Sequence, residues 1–371
     1  MMSARFLTVV LERAFNMRDG FGREIDYMRI SVIDSCNLNC YYCNPCDNNE
    51  HCHALNILSV KEVLCIVRAA TRLGIKHFRL TGGEPLLHPQ LDEMVLQIKK
   101  IPGVSSVSLT TNAVLLVQHA KWLKEAGIDS INVSLDTIDA SEYERITKKP
   151  LLEEVKHGIN AAIECGIRVK INAVLTPQTD VVALTRYVAK KGTDIRFIEM
   201  MPVGEGHTNG VEPYKKVIGT LSKLYGEPCR INTEKTKEIN SGNDKRKIPD
   251  NGPAEYYIFP ELGIRVGLIQ AIHGKFCDTC NRIRVTADGR LMPCLGSSVT
   301  MDLVPDSWDF ADDVEKDFAI VRALRAAIKA KPRCHNFNDN AVTYTKTTET
   351  KTTEIEAAEV NAARNMSRIG G

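Results

Sequence analysis

From residue 28 onward, short apolar runs alternate with longer amphipathic stretches. The runs at 28–34, 77–81, 106–111, 130–136, 168–175 and 194–201 have the length of strands. Each is followed by a helical pattern. One opens at Ser59; the others lie near 90–100, 117–126, 139–147 with 152–165, 179–191 and 213–225. Ser59 with Glu62 three residues later forms a capping box. Six strands alternating with helices predict a parallel sheet with right-handed crossovers.

These strands are too polar for a sheet covered on both faces. Arg29, Arg79, Lys170 and Arg196 each interrupt an apolar strand. A buried cation is costly unless it faces an anion. A barrel whose lumen holds an anionic ligand removes the conflict. The alternative is that some of the four reach solvent at strand ends. The predicted class is α/β: a partial (β/α)6 TIM-type barrel with a smaller C-terminal α+β region.

The alternation stops near Gly226. Residues 227–250 are polar and turn-rich and read as a loop or insertion. Short strands follow at 254–259, 263–270 and 283–286. The last turns at Ala287-Asp288-Gly289 into 290–293, and a helix follows at about 310–330. Thr, Lys and Glu dominate 343–356, which reads as a flexible linker. The chain thus divides into a barrel with an N-terminal extension (1–226), a C-terminal region (227–342) and a tail (343–371) ending in Gly370-Gly371.

Charge and cysteine content narrow the chemistry. The 48 Lys and Arg against 46 Asp and Glu leave +2, so no general nucleic-acid or membrane surface is expected. An anion site must come from local clustering. No apolar run is long enough to span a bilayer, and Glu12 and Arg13 break the apolar run 6–11, unlike a secretory signal. Twelve cysteines without export point to a reducing, cytoplasmic setting and to metal or redox use.

Six cysteines fall into two tight groups. Cys36, Cys40 and Cys43 stand at C-x3-C-x2-C directly after the first strand. Three thiolates on one loop can hold three corners of an iron–sulfur cube and leave one iron open. A zinc site would take a fourth ligand from Cys46, Cys52 or His53. Gly82-Gly83-Glu84-Pro85 follows the second strand; its glycines allow close approach of a ligand, and Glu84 can accept from an amine. That turn, Thr110-Thr111-Asn112, Ser134-Leu135-Asp136 and Glu199-Met200-Met201 all fall at carboxyl ends of strands, where parallel β/α arrays bind ligands. Cys277, Cys280 and Cys294 form the second group, C-x2-C-x13-C. Arg282 and Arg284 share one strand face and suit phosphate or carboxylate. By itself this group equally suits a zinc ribbon completed by Cys229 or Cys334.

The cysteine loop with the Gly-Gly-Glu-Pro turn resembles the radical S-adenosylmethionine superfamily over about residues 28–201. The resemblance implies a [4Fe–4S] cluster whose open iron chelates S-adenosylmethionine and whose electron releases a 5′-deoxyadenosyl radical. Asp19-Gly20-Phe21-Gly22-Arg23, the run 25–32, both cysteine groups, the run 251–257 and Gly370-Gly371 together resemble the GTP 3′,8-cyclases, which open molybdenum cofactor biosynthesis. That resemblance implies that Cys36, Cys40 and Cys43 hold the S-adenosylmethionine cluster, and that Tyr42, Gly83, Ser134 and Met201 contact S-adenosylmethionine. It implies a second [4Fe–4S] cluster on Cys277, Cys280 and Cys294 that binds the guanine of GTP. Arg29, Arg79, Thr110, Lys170, Arg282, Ile283 and Arg284 would line the GTP site, with Arg196 a further cation there. Gly370 and Gly371 would reach into the active site as part of the catalytic set. Implied partners are a flavodoxin- or ferredoxin-type electron donor, cyclic pyranopterin monophosphate synthase downstream, and a second copy in a homodimer.

The chain departs from the family pattern at Ser35, Asn44, His77 and His88, and Cys46 and Cys52 are extra. Two rival readings follow. One is a peptide-modifying radical enzyme whose downstream cysteines serve an auxiliary cluster with Cys334 as fourth ligand. The other is a zinc-stabilised binding protein.

Overall fold

The computed structural model describes residues 17–43, 56–203, 210–231, 252–297, 299–303, 313–335 and 337. Six β/α units run as the hydrophobic pattern predicts. They comprise β1 (Tyr27–Ser31), α1 (Val60–Arg72), β2 (His77–Thr81), α2 (Leu91–Lys99), β3 (Ser106–Thr111) and α3 (Leu116–Glu125). The series continues with β4 (Ser130–Ser134), α4 (Ala140–Thr147), α5 (Leu152–Glu164), β5 (Val169–Leu175), α6 (Val181–Lys190) and β6 (Asp194–Glu199). The period of two decides which side chains meet the helices. On β1, Met28 and Ile30 join the buried core with Val63, Ile66 and Val67 of α1. Tyr27 and Arg29 point the other way, into the lumen. Ser59 caps α1, accepting from the Glu62 amide at 3.3 Å, while the Glu62 carboxylate accepts from the Ser59 amide at 2.6 Å.

The C-terminal half adds α7 (Gly219–Tyr225), β7 (Cys229–Ile231), β8 (Glu255–Ile258), β9 (Arg265–Ile269), β10 (Arg282–Val285), β11 (Arg290–Met292), β12 (Met301–Asp302) and α8 (Asp313–Lys329). The helix expected from 213 opens with a π-type turn, Tyr214–Ile218, before α7. The strands expected after 253 do not form a separate sheet. All twelve belong to one sheet, ordered β12-β11-β10-β1-β2-β3-β4-β5-β6-β9-β8-β7. β10 pairs parallel with β1, and β9 pairs parallel with β6. The parallel core therefore has eight strands, with an antiparallel pair on each flank. Long-range parallel pairing of this kind leaves no local sequence signal. The two-residue β12 and three-residue β7 are too short to show a period at all.

α8 packs on α1, where Arg72 pairs with Asp317 at 2.8 Å. No helix among the described residues is long and apolar enough to cross a membrane.

Candidate functional site

The cysteine loop leaves the carboxyl end of β1 and is laced to the turn after β2. The Gly83 amide donates to the Ile33 carbonyl at 2.8 Å, and the Glu84 amide to the Ser35 carbonyl at 2.8 Å. A Cβ on Gly82 would lie 2.4 Å from the Ile33 oxygen, and one on Gly83 would lie 2.3 Å from the Ser35 oxygen. The two glycines thus admit the backbone of the cysteine loop, and both also line the cavity. Asn39 and Tyr41 donate amides to the Thr147 and Ile146 carbonyls, at 3.0 and 3.1 Å, and so pin the loop to the end of α4.

Glu84 is 1% exposed and already engaged. It accepts from Thr111 Oγ1 at 2.7 Å, the Asn112 amide at 2.7 Å and the Leu86 amide at 3.0 Å. Burial raises its carboxyl to about 7 despite those donors. The residue clamps the β2 turn to the end of β3 and leaves little capacity for a ligand amine. Tyr42 donates to Asp136 at 2.5 Å, and Asp136 also accepts the Val174 amide at 2.7 Å. Burial lifts the Asp136 carboxyl to about 6.

A band of cations crosses the lumen. Arg284, Arg29 and Arg79 stand side by side in register on β10, β1 and β2. Arg79 donates Nε to the Tyr27 hydroxyl and Nη1 to Thr110 Oγ1 at 3.3 Å. Burial alone would raise the Tyr27 phenol, but Arg79, Arg29 and Arg282 bring it down to about 8. Burial and the facing Arg284 push the Arg29 guanidinium well below its usual value. Lys170 lies in register with Asn132, and its Nζ stands 6.0 Å from the Tyr256 ring centre. Arg196 donates Nε to Asn172 at 2.9 Å, while its buried Nη2 has no hydrogen-bond partner among the described residues. Each of the four cations singled out on the apolar strands lines this cavity.

The second triad sits at the other end of the barrel. The first follows the carboxyl end of β1; Cys277 and Cys280 precede the amino end of β10, which runs parallel to β1. Cys294 follows β11, which is antiparallel to β10 and returns the chain to that same end. Two buried cations hold these segments. Arg23 pairs with Asp19 at 2.5 Å and donates to the Cys277, Arg333 and Pro332 carbonyls at 2.7, 2.9 and 2.6 Å. Lys331 donates to the Arg282 and Pro293 carbonyls at 2.8 and 2.9 Å. Burial raises the Cys280 thiol, but Lys331 and Arg282 overcome it and leave the thiol below its ordinary value.

One cavity of about 660 Å3 is lined by both triads, by Tyr42, Gly83, Ser134 and Met201, and by Arg29, Arg79, Thr110, Lys170, Arg196, Arg282 and Arg284. Ile283 is the exception. It is 1% exposed and packs in the core, because alternation turns it away from Arg282 and Arg284. Cys334 and Cys229 are exposed and line no part of the cavity. Asn44, Cys46, Cys52, His53, the 343–356 stretch, Gly370 and Gly371 lie outside the described residues. Asn132, Lys331 and Arg23 were not singled out from the residues alone. The signals of Asn132 and Lys331, a polar residue in a strand and a charged residue beside Pro, are too common to stand out, and Arg23 entered only within the run 19–23 that carries the resemblance.

Residues 30–183 match the family model described as Radical SAM superfamily, and residues 193–337 match Molybdenum Cofactor Synthesis C. A GTP 3′,8-cyclase of Clostridium perfringens (strain SM101 / Type A) is 35% identical over 324 residues, covering 86% of this chain and 95% of the relative. One of Pelotomaculum thermopropionicum is 36% identical over 327 residues, with 86% and 95% covered. The chain belongs to the GTP 3′,8-cyclase family.

Solved structures share the fold of this cyclase-family chain. Streptococcus suis SuiB bound to S-adenosylmethionine superposes with a TM-score of 0.51 at 15% identity, covering 81% of this chain and 65% of that one. Native anSMEcpe with bound AdoMet gives 0.50 at 18% identity, covering 72% and 74%.

Radical enzymes of this superfamily carry S-adenosylmethionine and a [4Fe–4S] cluster, and the first triad of this cyclase-family chain fits them. Burial pushes the Cys36 thiol up to about 11 and the Cys43 thiol up to about 12. Neighbouring anions, Glu84 for Cys36 and Asp136 for Cys43, push the same way. Thiolates in such surroundings need a positive core beside them, which an iron–sulfur cluster provides. Among the described residues, no three His, Cys, Asp or Glu side chains are gathered closely enough to share a single ion.

Proposed function

We propose that the protein cyclises GTP to 3′,8-cyclo-7,8-dihydro-GTP by radical chemistry, the opening step of molybdenum cofactor biosynthesis. One observation carries the reading: a single cation-lined cavity meets two three-cysteine triads at its opposite ends. Cys36, Cys40 and Cys43 hold one [4Fe–4S] cluster, and Cys277, Cys280 and Cys294 hold a second. Cys277, Cys280 and Cys294 line the cavity, which supports an iron left open for guanine; Cys334 is exposed and does not line it but lies close enough to Cys277 to act on its thiol, and is the ligand a four-cysteine auxiliary cluster would recruit. Held at the first triad, S-adenosylmethionine and the cluster would supply a 5′-deoxyadenosyl radical for hydrogen abstraction at ribose C3′; closure of the C3′–C8 bond then needs one electron from the donor and one proton to give the 7,8-dihydro product.

The side chains do the rest by position and charge. Tyr42, Gly83, Ser134 and Met201 hold S-adenosylmethionine near the first triad. Arg29, Arg79, Lys170, Arg282 and Arg284, with Thr110, take the triphosphate and purine. The charge of the triphosphate relieves the mutual repulsion of Arg29 and Arg284. Ile283 serves by anchoring β10 in the core. Arg196 offers its unpaired Nη2 to the substrate. The Gly370-Gly371 end completes the catalytic set. The setting is cytoplasmic, a flavodoxin- or ferredoxin-type donor supplies the electron, and cyclic pyranopterin monophosphate synthase takes the product. The working form is a homodimer.

Anaerobic incubation with GTP, S-adenosylmethionine and dithionite tests this directly. Cyclised product should appear together with 5′-deoxyadenosine. Formation of 5′-deoxyadenosine with GTP left intact overturns the cyclase reading. Removing Gly370 and Gly371 should abolish cyclisation while the iron content stays unchanged. Full turnover by the truncated chain would remove the tail from the catalytic set.

A further inference from the structure

Asn132 lies in the middle of β4, 5% exposed, with its side chain on the cavity wall. In register it stands between Thr110 of β3 and Lys170 of β5. Its Oδ1 is buried and accepts no hydrogen bond from any described residue. A buried acceptor without a donor is costly, so its complement belongs to whatever fills the cavity. A triphosphate offers acceptor oxygens and no donor, and the cations of this wall suit it already. A carbonyl oxygen among those cations asks for a hydroxyl or an N–H.

The level of Asn132 narrows the choice. Ser134, two residues further along β4, lies at the carboxyl end of the strands, where the first triad emerges. The second triad lies at the amino end. On the cyclase reading, on which this inference rests, the sugar occupies the level between the two. We propose that Asn132 is a specificity-determining residue whose Oδ1 accepts a hydrogen bond from a ribose hydroxyl of the nucleoside triphosphate. It orients the sugar for attack and discriminates against nucleotides that lack that hydroxyl.

Equilibrium dialysis under anaerobic conditions reads this without turnover. The cluster-loaded protein, without S-adenosylmethionine, is titrated with GTP, 2′-deoxy-GTP and 3′-deoxy-GTP. The native chain should prefer GTP over one of the two analogues by about tenfold, the size of one lost hydrogen bond in a dry site. The analogue that is disfavoured identifies the hydroxyl. Asn132→Leu and Asn132→Ala should bring that ratio to about one, at unchanged iron content. Asn132→Asp, which keeps an acceptor, should preserve the preference. An unchanged ratio in Asn132→Ala, or no preference in the native chain, overturns the proposal while leaving GTP cyclisation intact. Absence of any GTP binding overturns the cyclase reading beneath it as well.

Discussion

Cys280→Ala should lower the iron content from about eight to about four per chain, the difference being one cubane. Cys280 sits between Lys331 and Arg282, which hold its thiol below its ordinary value against the effect of burial. On the proposed reading, losing the thiolate removes one of three cluster ligands and leaves that positive charge facing no anion. The first triad is at the far end of the barrel and shares no ligand with it. S-adenosylmethionine cleavage should therefore persist, measured as 5′-deoxyadenosine. GTP cyclisation should fall by about a thousandfold or more, because the purine loses its anchor and the ribose its alignment. Iron and sulfide analysis with product chromatography checks both arms. Retention of the full iron content, or cyclisation within tenfold of native, would remove Cys280 from the ligand set.

The second large effect is steric. In Gly83→Ala the new Cβ would lie 2.3 Å from the Ser35 oxygen and 2.6 Å from the Asp34 oxygen. Both are backbone atoms; the Ser35 oxygen already accepts the Glu84 amide, and the Asp34 amide is tied to the Asn56 carbonyl. No rotamer change relieves the clash, so the loop must move by about 1 Å, a displacement that can cost about a hundredfold in rate. Overpacking of this kind also costs about 1–3 kcal/mol of stability. The expected result is a lower melting temperature, loss of iron from the first triad and at least about a hundredfold less 5′-deoxyadenosine. Gly219→Ala is the control. Its φ is −60°, nothing lies within 4 Å of the added Cβ, and native behaviour is expected. A Gly83→Ala protein that keeps its iron and its activity would contradict the close approach described here.

Much of the barrel was legible because its signals are local. Short apolar runs mark β1 to β6, the amphipathic stretches between them mark their helices, and Ser59 with Glu62 marks where α1 begins. The inward cations were legible for a physical reason. Arg29, Arg79, Lys170 and Arg196 sit in apolar strands, and such charges are tolerated only around an anion. The cysteine spacings and the Gly-Gly-Glu-Pro turn announced the chemistry because ligand sets on a loop are set by a few residues of chain. Ile283 shows the reverse. Alternation placed it opposite its neighbours, and only the resemblance put it with the cavity.

What the residues could not reveal is how distant segments pair. By itself the chain determined two open cysteine triads, a set of buried cations and six β/α units. The tertiary structure alone decided that β10 lies parallel to β1, and hence that the two triads close opposite ends of one cavity. The two strands are separated by some 250 residues, and their pairing rests on packing and closure of the sheet, for which no short stretch of sequence codes. The same long-range pairing brings Arg23 to Cys277 and Lys331 to the carbonyls beside Cys280 and Cys294. It also leaves Asn132 Oδ1 facing the cavity with no hydrogen-bond partner among the described residues. Local spacing specified which atoms can hold a cluster; the order of the strands specified what those clusters face.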